Sequence, residues 1–154
     1  NERVQNYETI CGGSGASINQ DGCSAVHTHM TNSRLTDPEV LEWRFPVRLE
    51  SFSIRKNSGG KGLKSGGDGV DRRIRFLEPM TVNIITGHRV VPPYGLAGGN
   101  SGALGKNYVI HLDDSITELK TKGQIEVVKD DIFVLKTPGG GGFGKSTLVQ
   151  QSKP

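Results

Sequence analysis

The feature that most constrains this chain is where its glycines fall. There are 22 glycines in 154 residues, about twice the usual share, and most sit in runs. CGGSG (11–15), NSGGKGLKSGGDG (57–69), GGNSG (98–102) and GGGGFG (139–144) are the densest. Runs of this kind hold neither a regular helix nor a regular strand cheaply, because glycine loses the most backbone freedom on ordering. They fit turns, positive φ, or places where two stretches of backbone pass close together. A bundle of long helices is therefore excluded, and a loop-rich β protein is expected.

The rest of the composition agrees. Only 33% of residues are apolar and 6% aromatic, yet the length suffices for one domain with a core. The formal charge of +3 is small, the basic residues are scattered, and no aromatic-interleaved basic stripe appears, so no nucleic-acid partner is expected. No apolar run approaches membrane-spanning length and no secretory core precedes the cysteines, so no membrane partner is expected. Cys11 and Cys23 read as reduced thiols in a cytoplasmic chain.

Along the chain, residues 1–46 carry a glycine-rich loop, a histidine-containing segment and one short helix. In the helix, within TDPEVLEWR (36–44), Asp37 is the cap, Pro38 takes the first position, and Thr36 with Glu39 resembles a capping box. Residues 47–149 form a β domain. Apolar residues recur with period two from Val47 and Leu49, from Val70 to Phe76, and at Tyr108, Ile110 and Leu112. Residues 80–86, 125–128 and 132–135 are further strands, and the last residues, 150–154, read as a tail. Six to eight short strands punctuated by turns predict a mainly β fold, an antiparallel sandwich or barrel-like domain with long glycine-rich loops and one short helix.

Two patterns carry chemistry. The string GGGGFGKS (139–146) matches G-x-x-x-x-G-K-[ST], a phosphate-binding loop. Such a loop needs a buried strand before it and a helix after it, and the few residues left here do not provide that helix. The second pattern is HTHMTN (27–32), preceded by Asp21. His27 and His29 share a face if extended, which suits a metal-ligand pair, a general base with a partner, or hydrogen-bonded histidines. A divalent metal would need further ligands, for which Asp21, His88 and Asp68 are the candidates. Substrate-orienting hydrogen bonds from His27, His29 and Asn32 are the preferred reading. Gly12, Gly13 and Gly15 offer bare amides beside them.

Taken in order, YETICGGSGA (7–16), HTHMTN (27–32), TDPEVLE (36–42), GGDG (66–69), PYGLAGG (93–99) and TPGGGGFG (137–144) closely resemble the carboxy-terminal part of the hydantoinase B/5-oxoprolinase family. The resemblance spans nearly the whole chain, and it explains the phosphate-loop string as a terminal family signature that Lys145 and Ser146 happen to follow. It implies one piece of an ATP-dependent amidohydrolase that opens small cyclic amides such as 5-oxo-L-proline or a hydantoin. It further implies that ATP and Mg are bound by a hydantoinase A-type ATPase part, fused or separate, in an oligomeric assembly, and that this chain alone is inactive. On that reading Asp21, His27 and His29 are catalytic, while Gly12, Gly13, Gly15 and Asn32 bind the substrate. The alternative is a non-catalytic β scaffold within a larger assembly.

Overall fold

The computed structural model describes residues 5–28 and 34–146. His29, Asn32 and the tail at 150–154 lie outside the described residues.

The fold is mainly β and antiparallel, and it is an open layered structure rather than a closed barrel. Helix α1 (Pro38–Arg44) is followed by strands β1 (Val47–Ile54), β2 (Val70–Phe76), β3 (Met80–Ile85), β4 (Lys106–Ile110), β5 (Ile116–Leu119), β6 (Lys122–Val127) and β7 (Ile132–Lys136). Five of them make one sheet in the order β1-β2-β7-β4-β5, while β3 and β6 pair into a second, two-stranded sheet. The two layers and α1 enclose the core, where Leu41, Val47, Phe76, Val109 and Val127 are buried against Ile74, Met80, Val82, Ile125 and Phe133.

Local sequence explains most of these elements. Asp37 caps α1 through its carboxylate, which accepts the Glu39 amide at 2.9 Å, and Pro38 opens the first turn. The expected capping box does not form, because the Thr36 amide donates instead to Glu8 Oε1 at 3.0 Å. Strand β2 keeps its apolar phase, with Val70 and Phe76 buried. Strand β4 reverses the expected one: Val109 is fully buried, whereas Leu112 lies beyond the strand and is 74% exposed. Strand β5, with exposed Ile116, has no clear apolar alternation and was not expected.

The glycine runs are ordered, and they build a second structural unit. Beyond β7 the chain continues as residues 137–144, and this segment is hydrogen-bonded on several sides, whereas a sheet strand is bonded on two. Gly139 and Gly142 donate to Ala103 O and Asn100 O; Pro138 O and Gly141 O accept from Gly13 and Ala16; Gly140 donates to Gly67 and accepts from Gly60. Residues three apart thus face the same neighbour. A repeat of three is that of a polyproline II-type helix, which has no internal hydrogen bonds and must find them between chains. Side chains would prevent such packing. A Cβ on Gly140 would overlap the Ser14 carbonyl, and one on Gly13 the Gly67 carbonyl. Only Gly98 and Gly144 have positive φ, so close approach rather than backbone freedom accounts for most of the other glycines, Gly15, Gly87 and Gly123 being exceptions with room for a Cβ.

Candidate functional site

The loop from Gly12 to His27 lies along one side of this glycine bundle. Gly12 and Val26 form an antiparallel bridge, the Val26 amide donating to Gly12 O at 2.8 Å. His27 follows directly and is half-buried, so its backbone is tied next to the glycine-rich turn. Ser14 braces the loop: its Oγ accepts the Cys23 amide at 2.8 Å, and its own amide donates to Cys23 O at 2.9 Å. Asp21 is exposed, and its Oδ1 accepts the Ser65 amide at 2.7 Å, joining this loop to the 57–69 run. Ser24 Oγ accepts the Asp68 amide at 2.8 Å, and the Asp68 carboxylate in turn accepts the Gly59 amide at 2.7 Å.

The three glycines named from sequence are not equivalent. Gly13 is locked among backbone atoms. A Cβ on Gly12 would meet Pro138 O at 3.3 Å, and one on the exposed Gly15 would meet only Gly141 O at 3.8 Å. Among the described residues no three His, Cys, Asp or Glu side chains are grouped as metal ligands. Asp68, named from sequence as a further ligand, holds backbone amides, and His88 Nδ1 is 3.0 Å from Val91 O. Cys11 and Cys23 are free thiols, and burial raises the Cys11 pKa.

The phosphate-loop string does not fit a nucleotide. A phosphate cradle needs amides free to point at the ligand, but Gly139, Gly140, Gly142, Phe143 and Gly144 each donate to a backbone carbonyl of a neighbouring segment.

Two polar groups escaped the sequence reading. Arg72 takes an inward position on β2, only 5% exposed, and its Nη1 donates to Glu8 Oε2 at 2.7 Å. Burial pushes the Glu8 pKa up, but the hydrogen bonds from Thr36 and Arg72 outweigh it and hold the carboxyl below its ordinary value. Beside this pair lies a cleft of about 300 Å³ lined by Leu35, Thr36, Asp37, Pro38, Leu49, Phe52 and Arg72. The charged residue in the apolar phase of β2 was the available signal. The second group is His111, whose Nδ1 is 3.2 Å from Asp131 Oδ2 while its Nε2 is 2.9 Å from Thr117 Oγ1. It borders a shallow cleft of about 350 Å³ with Leu112, Asp113, Ser115 and Val128. No sequence signal marked it, since its members come from two separate turns and a strand.

Against known proteins, the family model Hydantoinase B/oxoprolinase matches residues 1–146. The chain is 49% identical over 140 residues to 5-oxoprolinase 1 of Arabidopsis thaliana, covering 91% of this chain and 11% of the relative. It is 44% identical over 144 residues to 5-oxoprolinase of Dictyostelium discoideum, covering 94% and 11% respectively. Among solved structures, the ATP-dependent caprolactamase from Pseudomonas jessenii superposes with a TM-score of 0.72 at 25% identity, over 88% of this chain and 25% of that one. The chain therefore spans about a tenth of the 5-oxoprolinases it matches, and with its glycine bundle and two-layer β core it belongs to the hydantoinase B/oxoprolinase family.

Proposed function

We propose that this chain forms one wall of the ring-opening site of an ATP-dependent cyclic-amide hydrolase acting on 5-oxo-L-proline or a hydantoin. An unstrained lactam is a poor electrophile, and phosphorylation of its carbonyl oxygen, driven by ATP and Mg in a hydantoinase A-type part outside this chain, provides a leaving group. His27, His29 and Asp21 then position and deprotonate the attacking water, Asn32 holds the ring, Gly12 and Gly15 let it approach the backbone, and Gly13, packed against Gly67, fixes the turn that lines it. The assembly is an oligomer in the cytoplasm. No helix among the described residues is long and apolar enough to cross a membrane.

One observation carries this reading. The Gly12–Val26 bridge ties the residue before His27 to the glycine-rich turn, joining the two stretches from which the site residues are drawn. The test is made in the full-length enzyme. His27→Ala is expected to lower the ring-opening kcat about 100-fold or more, while ATP hydrolysis continues uncoupled from product. Gly15→Ala separates lining from packing, since its new methyl has room: a raised KM with unchanged folding supports a lining role.

A second reading has its own observation. Asp21 ties its loop to the 57–69 run and Ser14 braces the 12–27 loop internally, as they would in a non-catalytic scaffold. A scaffold predicts that His27→Ala leaves kcat within about twofold whenever the protein folds, because substitutions away from the reacting groups change little.

A further inference from the structure

Arg55 and Arg89 lie outside the group discussed above. Arg55, just past β1, donates through Nη1 to Leu104 O at 2.7 Å and Thr137 O at 3.2 Å. Arg89, between β3 and β4, donates through Nε and Nη2 to Asn107 Oδ1 at 3.2 and 2.7 Å and through Nη1 to Gly87 O at 2.6 Å. Its guanidinium rests on Gly105, where a Cβ would overlap it. Asn107, only 2% exposed, is itself held through Nδ2 by Thr86 Oγ1 at 3.0 Å, so Arg89 is seated on a fixed support.

Both arginines are half-buried, and both contact the turn at 104–105. Arg72, Arg73 and Arg75 each pair with a carboxylate, but among the described residues neither Arg55 nor Arg89 does. Burial first, and the Arg55 charge second, lower the Arg89 pKa to about 10, so the two cations sense one another. Two like charges drawn partly out of water without a counter-charge are unfavourable. Neutral carbonyls and an amide oxygen position the guanidiniums without neutralising them. On Arg55 the Nε and Nη2 edge, the fork that grips oxyanions in a bidentate way, meets no acceptor among the described residues.

We infer that Arg55 and Arg89 form a binding site for a small oxyanion, either a phosphate or a carboxylate group, at the 104–105 turn. The inference does not rest on the ring-opening reading and is tested without turnover.

The 154-residue chain is titrated with sodium phosphate and, separately, sodium acetate, at ionic strength matched with sodium chloride, and thermal unfolding is followed. One of the two anions is expected to raise Tm saturably, by about 3 to 6 °C at ten times its dissociation constant. Which of them binds tighter identifies the ligand class. Arg55→Lys keeps the charge but loses the open fork, Arg89→Lys keeps the charge but loses the Asn107 and Gly87 hydrogen bonds that seat it, and each is expected to weaken binding about tenfold. Lys61→Gln, at an exposed lysine elsewhere, is expected to change nothing. Should either arginine variant fail to fold, the arginine Nε–H resonances of the unmodified chain are followed instead, with two of them expected to shift on titration. Tm rises no larger than those given by chloride, or unmoved resonances, would overturn the site.

Discussion

At the scale of single residues, the structure separates glycines that are required from glycines that are merely present. Gly140 sits where a methyl would overlap the Ser14 carbonyl, and both partners are backbone, so neither yields cheaply. Gly140→Ala is expected to cost about 3 kcal/mol, read from urea unfolding. At Gly123, in β6, an added methyl would meet nothing within 4 Å, and Gly123→Ala is expected to add about 0.5 to 1 kcal/mol by restricting the unfolded chain. The Glu8–Arg72 pair gives a second contrast. Both side chains are largely buried, so Glu8→Gln strands a guanidinium and is expected to cost about 3 kcal/mol. Because the folded Glu8 carboxyl titrates below its ordinary 4.5, its contribution is full above that pH and is lost as pH falls through the lower folded value. Acid unfolding of the Glu8→Gln variant should accordingly lose part of its pH dependence below about 4.5. Cys11 and Cys23 differ for a related reason. Burial both shields the Cys11 thiol and keeps it protonated, so a thiol reagent should label exposed Cys23 first in the folded chain.

At the scale of elements, α1 shows how a segment too short to persist alone is kept helical. Its seven residues are below the length at which an isolated helix is stable in water. The Asp37 cap and the anchor Leu41, only 1% exposed, hold it. Asp37→Ala should cost about 1 kcal/mol and Leu41→Ala about 3 kcal/mol, measured by thermal unfolding. The cap and the proline were legible because they act within one turn. Strands β1 and β2 were legible because one face of each is buried, which leaves period two in the sequence, and β7 because, at the centre of its sheet, it is a short apolar run with the neighbours Val134 and Leu135 both buried. Strand β5 was not, since as a sheet edge with exposed Ile116 it has no buried face to mark. The phase of β4 misled because Tyr108, Ile110 and Leu112 are as apolar as Val109, and only tertiary packing decides which side faces in. The glycine runs read as loops for a deeper reason. Their hydrogen bonds join residues 13, 60, 67 and 103 to residues 138–140, partners far apart in sequence that no local pattern announces. The same distance hid the Glu8–Arg72 and His111–Asp131 pairs, whereas Asp21 and His27 were conspicuous as reactive side chains close together in sequence.

At the scale of the whole molecule, two kinds of cohesion meet along β7. On one side lies an apolar core in which Val109 and Val127 are buried. On the other, residues 137–144 are held by backbone hydrogen bonds and by the absence of side chains. A bundle of this second kind buries little apolar area, so its stability depends on every amide finding a carbonyl, and each amide so paired is withdrawn from any ligand. This decides how the GGGGFGKS string behaves. With Gly139, Gly140, Gly142 and Gly144 already donating to protein carbonyls, the loop would have to leave the bundle before it could cradle a phosphate. The chain spans about a tenth of the 5-oxoprolinases it matches. The purified chain is therefore expected to release no phosphate from ATP and to open no 5-oxo-L-proline above the buffer blank, in a phosphate-release assay and by chromatography of the ring-opened product. In the full-length enzyme Lys145→Ala should leave ATP affinity unchanged. Turnover by the isolated chain, or a tenfold loss of ATP affinity in that variant, would mean that the terminal glycines exchange their carbonyl partners for phosphate and that the bundle is not the resting state of the site.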